Sequence, residues 1–531
     1  MGSRGRQWEE WGEIGPFPRT VVRRLVSNAA MDMTYPTEIT GPATATIDVG
    51  ADAPIRVIGN DAIRQTFDPR TIGQAVNSRL APGVSDVVLN PDAHLGYGAP
   101  VGCVMVSPTH IYPGPVGVDI KCSMSLLQTD LPADAVADRK VRREIIKAIG
   151  RRTPTGAGKG QRHAPKSRPI DETLGRDVAA EGASGAVLRR LGVPKSWASR
   201  CEDASHTGVD GSVDTLRHRL ERLGRDRDAA DRLFRKYRQL GSYGGGNHFG
   251  ECELVQLSDE PELRSIGESF GLRDNHVAFL SHCGSRGLGH DLAMGQFRSM
   301  RKSFEQSGTA FPGGDKELVH APVDSDEGRS YLVDMALGAN FATVNHLLIN
   351  ALVLEAFQSV IPGTRGELVY FISHNIARPE LIDPDDHSKG AAWVHRKGAT
   401  RAFPAGHPGL AGTPFESTGH PILLPGNPRD GSSVMVARPG AKLSAYSVNH
   451  GAGRALSRTR AKKTLDQSRV DASMEAHDIL SNCRTYPLDE APDAYKDFAE
   501  VLASVKQAGL ADEVAKLHAR FVIKDGAPAD D

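Results

Sequence analysis

Side chains able to bind metals recur in this sequence where strand-like runs meet glycine-rich loops. Asp92 and His94 stand in NPDAHLGYG, Asp119 and Cys122 in GVDIKCSM, and Asn247, His248 and Glu251 in SYGGGNHFGE. His282 and His290 follow in SHCGSRGLGH, His374 and Asn375 in ISHNIARPE, His395 in WVHRKGATRAFP and His450 in NHGAGR. Loops after strands are where a rigid scaffold displays reactive groups, and glycines let the backbone approach a ligand, a phosphate above all. The chain has 19 histidines, so one histidine beside a glycine is more often structural than a ligand. An Asp-x-x-Cys pair alone can equally satisfy local backbone. Seven such loops in one chain point to a metal site. Thiolate, imidazole and carboxylate together suit Mn²⁺, Zn²⁺, Co²⁺ or Fe²⁺ better than Mg²⁺ or Ca²⁺. Because a thiolate can bridge, one Cys, one Asp and three His could support a two-metal centre of the kind used on phosphates.

Two loops are basic. HRKGATRAFP carries Arg396, Lys397 and Arg401, and HGAGRALSRTRAKK carries Arg454, Arg458, Arg460, Lys462 and Lys463. Such runs are often solvated faces. Beside glycine loops and a metal they suit an anion-binding cleft, the local cationic groove that a nucleic-acid enzyme needs. His450 stands apart, with small residues after it and Arg454 four positions on. It would suit an imidazole nucleophile attacking a nucleotide phosphate with a cation nearby. A sixth metal ligand or a substrate contact fits the same residues.

These groups need a scaffold. PIRVIG reads as a strand and DPRTIGQAVNSRL as a helix, with Asp68 as N-cap and Pro69 in its first turn. VSDVVLNPDAHLGYGAPVGCVMV reads as strand, tight loop, strand; GPVGVDIKCSMSLLQTDL is a loop and strand; VADRKVRREIIKAIGRR has helical spacing. Residues 165–240 are polar and mostly helical, so 160–240 reads as a helical insertion or cap. ECELVQL, HVAFLSHCG, ELVYFISHN, HPILLPG and SSVMVARPG read as strands, and SYLVDMALGANFATVNHLLINALVLEAFQSVI as a buried helix. Near the C-terminus DAYKDFAEVLASVKQAGL and ADEVAKLHARF read as helices and FVIK as a strand. Residues 1–52 read as an N-terminal extension, 53–526 as one large mixed α/β catalytic domain and 527–531 as a tail.

At 531 residues the chain can bury a large core. Lys plus Arg is 64 and Asp plus Glu 65, a net charge of −1, so no bulk cationic field binds nucleic acid. The six cysteines are dispersed without a CxxC pair, which argues against a structural zinc finger and for reduced thiols. No apolar run reaches the roughly 18 residues of a membrane span, and the N-terminus lacks a signal-peptide core. The expected compartment is the cytoplasm, with no membrane partner.

The set DAHLGYGAPVG, GVDIKC, GGGNHFGE, HCGSRGLGH, SHNIARPE, VHRKGATRAFP and HGAGR, in this order over about 53–526, resembles the RtcB family of RNA ligases. The resemblance implies a distinctive mixed α/β (α+β) fold with a central active-site cleft. It implies joining of RNA 2′,3′-cyclic phosphate or 3′-phosphate ends to 5′-hydroxyl ends in splicing or repair, with GTP and two Mn²⁺ ions. By motif, Asp119, Cys122 and His248 would hold one ion and Cys122, His282 and His374 the other. His450 would be the nucleophile that becomes guanylylated. Asn247, Glu251, Asn375, the 425–432 loop (Pro425, Gly426, Asn427, Pro428 and Ser432), Gly451, Ala452, Gly453, Arg454 and Lys524 would surround the guanylate. Arg396, Lys397 and Arg401 would bind RNA, and an archease-type activator is a possible partner.

The chain departs from the family pattern at PGNPRDGS, where the family usually reads P-G-S-M-G-T-x-S, and at Cys283, where it often has Ser. Two other readings use the same residues: a metal-dependent phosphoesterase that processes RNA 3′ ends without ligation, and a non-catalytic RNA binder. The first needs neither GTP nor His450 as nucleophile. The second gains nothing from five metal ligands.

Overall fold

The computed structural model describes residues 35–161, 168–208, 210–386, 388 and 390–527. The rest of the expected extension (1–34) and tail (528–531) lies outside the described residues.

Apolar residues alternating along the strands give two sheets, each with two faces to bury. One sheet has seven strands and runs from Thr37–Gly41 through Thr44–Ile47, Ile55–Ile58, Asp86–His94, Val101–Ser107 and Ala391–Lys397 to Asn375–Leu381. The other has eight, in the order Gly366–Ser373, Ser123–Pro132, His276–Cys283, Phe249–Leu257, Ala511–Lys524, Gly431–Ala437 and Pro421–Asn427, with Leu480–Ser481 beside Ala511–Lys524. Val88, Val104 and Val394 of the first sheet share one core with Met124, Leu280, Val434 and Leu517 of the second, so the sheets pack face to face. The opposite residues of the same strands, Val87, Leu89 and Met105, turn to helix Pro69–Arg79. Those of the second sheet, Leu127, Phe279 and Phe521, turn to the helices around Asp326–Val360.

Helix Asp326–Val360 has 35 residues and is buried nearly all round. It is long and apolar enough to cross a membrane, but 94% of its most apolar window is covered by protein. The elements expected from the sequence mostly form. Asp68 caps helix Pro69–Arg79 by accepting from the Arg70 N–H, and VADRKVRREIIKAIGRR forms Arg139–Arg152.

One expectation is corrected. ADEVAKLHARF is not a helix but most of the 14-residue strand Ala511–Lys524. Ala515, Leu517, Ala519 and Phe521 are buried while Lys516 and His518 are exposed, the period of a strand, and pairing on both sides fixes it. Within the expected extension, Thr37–Gly41 and Thr44–Ile47 form a hairpin paired to Ile55–Ile58. The polar helices of 172–237 pack on the rest of the chain: Leu174, Val178, Leu216 and Leu220 enter the core of the long helix.

Candidate active site

Antiparallel pairing brings strand starts beside strand ends. Cys122 precedes Ser123–Pro132, His248 precedes Phe249–Leu257, His282 closes His276–Cys283 and His374 follows Gly366–Ser373. The register pairs Met124 with His282, His282 with Phe249, and Ser123 with both Ser373 and Cys283. All four ligand-type residues therefore meet at one end of the eight-stranded sheet.

There Cys122 Sγ lies 3.2 Å from His282 Nε2 and 3.4 Å from His248 Nε2. His282 Nε2 is 3.3 Å from His374 Nε2, and His248 Nε2 is 2.9 Å from Asp119 Oδ2. Cys122, His282 and His374 form one potential metal-holding group and Asp119, Cys122 and His248 another, sharing the cysteine. Three imidazole Nε2 atoms and a sulfur converging in a buried space is a donor set that a cation resolves, and the set suits Mn²⁺ or Zn²⁺. Burial and then the neighbouring histidines hold His282 and His374 well below the usual histidine range, in the neutral form a metal needs. Burial would also lower His248, but Cys122, Cys283 and Asp119 outweigh it and raise the ring well above that range. Burial, reinforced by Asp119, pushes the Cys122 thiol up to about 12, so ion binding there displaces a proton.

The long helix fixes this cluster from behind. Asn345 Nδ2 donates to Cys283 Sγ and to Gly284 O, each at 3.2 Å, and its Oδ1 accepts from Gly241 N at 2.7 Å. His346 pairs with Cys283 O at 3.0 Å and Ser125 Oγ at 2.9 Å. Lys121, whose φ is +55°, donates its buried ammonium to Asp203 O at 2.7 Å and Thr343 Oγ1 at 2.8 Å, and sits 2.8 Å from His206. Ser285 N and Oγ each donate to Asp119 Oδ1 at 3.1 Å. Lys121 and Ser285 lie within GVDIKC and HCGSRGLGH, while the supports from the long helix lie in no quoted motif. The apolar helix with Asn340, Thr343, Asn345, His346 and Asn350 buried in it was the one available signal.

His450 lies beside His374, with ring centroids 4.7 Å apart and the planes tilted by 42°. Its Nδ1 lies 2.6 Å from Asp92 Oδ2 and 2.9 Å from Gly398 O. Both neighbours are acceptors, so Nδ1 carries the proton and Nε2 keeps its lone pair. Asp92 is fully buried and also accepts from the His450 N–H at 3.2 Å. Only glycine fits beside it: Cβ atoms at Gly102 and Gly453, both at positive φ, would lie 2.5 and 2.4 Å from Asp92 atoms.

A cavity beside His450 is lined by Glu251, Pro425, Gly426, Asn427, Pro428, Ser432 and Lys524, all expected there, with Phe249, Tyr486, Glu490 and Tyr495. Lys524 reaches it because its strand pairs it with Phe249. Its ammonium bonds Glu490 at 2.8 Å. Arg454 also binds Glu490, at 3.3 Å, and lies 5.3 Å over the Tyr495 ring. PGNPRDGS closes as a hairpin turn in which Asn427 Oδ1 accepts from Arg429 N at 3.1 Å and Asp430 N at 3.0 Å. Pro425 O accepts from Ala452 N at 3.1 Å, which binds this turn to the Gly451–Gly453 loop. Asn375 spans two loops, accepting from Gly398 N at 2.9 Å and donating to Asp119 O at 3.3 Å. Asn247 is exposed.

The first basic loop is not a solvent-facing groove, which corrects the expectation for Arg396, Lys397 and Arg401. Arg396 is fully buried against Glu380 at 2.6 and 2.8 Å, Lys397 donates to Ala99 O at 3.0 Å, and Arg401 faces Glu202 at 3.3 Å. A buried guanidinium keeps its charge only with such partners. The second loop does present cations, since Arg460, Lys462 and Lys463 are exposed on helix Arg458–Thr464. His290 stands outside the cluster on helix Arg286–Ser307. His395 is a core residue, accepting from Tyr112 N at 3.1 Å and meeting Met105 O at 3.1 Å.

A family model described as "tRNA-splicing ligase RtcB" matches residues 74–525. The chain belongs to the RtcB family. It is 36% identical over 488 residues to the tRNA-splicing ligase RtcB of Nanoarchaeum equitans, covering 89% of this chain and 95% of that protein. It is 35% identical to that of Thermococcus kodakarensis, over 89% and 94%. The RNA-splicing ligase RtcB of Mycobacterium bovis is 33% identical over 84% of this RtcB-family chain and 98% of its own length. The matched span contains every residue of the two metal-holding groups as well as Asp92 and His450.

Proposed function

We propose that this protein is an RNA ligase that joins 2′,3′-cyclic phosphate or 3′-phosphate ends to 5′-hydroxyl ends, using GTP and two Mn²⁺ ions. The observation that carries this reading is His450. Its Nδ1 is committed to Asp92 and Gly398, so its Nε2 lone pair is free for a phosphorus atom while the ring lies beside His374.

Asp119, Cys122 and His248 would hold one ion, and Cys122, His282 and His374 the other. Bound there, the ions supply Lewis-acid stabilisation of charge on phosphoryl oxygens. His450 Nε2 attacks the α-phosphorus of GTP, an N–P bond forms and pyrophosphate leaves. Asp92 balances the cation that develops on the ring, as a buried carboxylate does for a nucleophile-activating histidine. A cyclic end is hydrolysed to the 3′-phosphate. An oxygen of that phosphate takes GMP from His450, breaking the N–P bond. The 5′-hydroxyl oxygen then attacks the activated 3′-phosphorus, GMP departs and a phosphodiester remains. Glu251, Lys524 and the 425–432 turn would hold the guanylate, and the exposed cations of helix Arg458–Thr464 would meet RNA phosphates. The cytoplasm as compartment and an archease-type activator belong to the same reading.

The test uses labelled GTP with Mn²⁺ and paired synthetic RNAs that differ only in which side of the break bears the phosphate. Wild type should retain label after denaturation and seal only the 3′-phosphate pair, and His450→Ala should do neither. Label on His450→Ala equal to wild type, or sealing of the 5′-phosphate pair, overturns the reading. An opened 3′-phosphate that accumulates without joining identifies the phosphoesterase instead.

A further inference from the structure

Asp92 reaches His450 because its strand leaves the ladder. Asp86–His94 pairs with Val101–Ser107 at Leu89 with Cys103 and next at His94 with Val101, and its pairing with Ile55–Ile58 stops at Leu89. Residues 90–93 are the extra ones on this strand, a bulge of the kind that re-aims a side chain beside an active site. Buried backbone carbonyls outside a ladder need other donors. Asp92 O meets His94 Nδ1 at 2.9 Å. The carbonyls on either side of it, Pro91 O and Ala93 O, both accept from Lys496 Nζ, each at 2.9 Å.

The backbone of Lys496 faces the other partner. Lys496 N donates to Gly453 O at 2.9 Å, and the preceding Tyr495 bridges to Arg454. Gly453 and Arg454 belong to HGAGR, the loop of His450. One residue therefore ties the carboxylate's bulge to the nucleophile's loop. Lys496 is 4% exposed, and the Phe67 ring lies 4.6 Å from its ammonium. An apolar side chain would fill this space with less desolvation, but it could not hold the two carbonyls. Burial lowers the ammonium to about 8, and Asp92 opposes the fall.

We propose that Lys496 is a positioning residue for the nucleophile: by holding both the 90–93 bulge and the HGAGR loop, it keeps Asp92 against His450 Nδ1 and so aims the Nε2 lone pair. Lys496 does not line the cavity beside His450, so it acts through Asp92 and not on the nucleotide. A reacting group displaced by about 1 Å loses on the order of 100-fold in rate. The inference rests on the reading of His450 as nucleophile given above. That reading also supplies the control, because its last step, attack of the 5′-hydroxyl on an activated 3′ end, does not use His450.

The experiment measures two rates in the full-length protein with Mn²⁺. One is labelling by GTP; the other is sealing of a synthetic RNA that already carries GMP on its 3′-phosphate. Both need the fold and the metal, and only the first needs His450, so their ratio isolates the nucleophile. In Lys496→Met, which keeps the length and removes the charge and the donors, the ratio should fall about tenfold or more. In Lys496→Arg, which keeps charge and donors, it should stay within about threefold of wild type. If Lys496→Met does not fold, Lys496→Gln decides: its amide still donates but is shorter and uncharged, and the ratio should fall about fivefold or more. A wild-type ratio in the neutral variant, with both rates falling together, makes Lys496 a purely structural residue and overturns the proposal. A ratio that falls as far in Lys496→Arg as in the neutral variant overturns it too. A wild type that takes no label rejects the reading of His450 and the role of Lys496 with it, whereas label with an unmoved ratio rejects only Lys496.

Discussion

At the scale of single residues, the Asp92–His450 pair decides most. Nδ1 cannot point its proton anywhere except at Asp92 Oδ2 and Gly398 O. Asp92→Asn can instead donate from its amide, which favours the tautomer whose lone pair is on the wrong nitrogen. The expected result is a fall of about two orders of magnitude or more in the rate of GTP labelling, with the melting temperature little changed; labelling within threefold of wild type would show that Asp92 does not set the tautomer. Cys122 is the other decisive residue, because it belongs to both metal-holding groups. Cys122→Ala should lose both ions by elemental analysis, and two Mn²⁺ per chain in that variant would contradict the bridge. Cys283→Ser should keep them, since its sulfur accepts from Asn345 and donates to Ser242 O at 3.4 Å, roles a hydroxyl fills. The donor residues were legible because each sits in a short motif at the end of a strand-like run. The role of Asp92 was not, because its partner lies 358 positions away. Arg396 and Arg401 were misread for the same reason: a basic run does not display the Glu380 and Glu202 that neutralise it.

At the scale of elements, the strand ends bring the ligands together and helix Asp326–Val360 holds them there. Asn345 alone bonds two segments, at Gly241 and at Cys283–Gly284. Asn345→Ala leaves those buried groups unpaired, at a cost of about 1–3 kcal/mol. It also frees the backbone that carries His282 and His248. A residue behind a metal ligand typically changes affinity by about 10–100-fold. Thermal melts and Mn²⁺ titration should both move, and a change in the melt alone would make Asn345 a purely structural residue. Most elements were readable from periodicity. The exception, Ala511–Lys524, carried its strand alternation openly in AKLHARF, but ADEVAK at its start has the composition of a helix. Pairing with Phe249–Leu257 and Gly431–Ala437 outweighs that local preference.

At the scale of the whole molecule, the two-sheet stack is closed at the cavity lined by Glu251 and Lys524 by one buried carboxylate. Glu490 receives Lys524 from the end of the central strand, Arg454 from the His450 loop, Arg458 from the helix after it and the hydroxyl of Tyr495. Its role was not legible from the sequence, since its partners converge only after both sheets are built. Burial alone would raise its carboxyl; Lys524, Arg458 and Arg454 outweigh that and hold it at about 2. A group depressed in this way stabilises the fold above its unfolded-state pKa, and the contribution is lost as pH falls through the folded value. The window runs from about pH 4.5 down to about pH 2, and the term at stake is on the order of 2–3 kcal/mol. Denaturant unfolding at steps from pH 6 to pH 2 should show stability falling through this window. Removing Glu490 strands three cations, so Glu490→Gln should be markedly less stable at pH 6, by about 3–5 kcal/mol. Its stability should then fall less steeply between pH 4.5 and pH 2, so that the two curves converge towards acid. Parallel curves for the two proteins would show that the carboxylate remains protonated in the fold and that Lys524 is held there by something else.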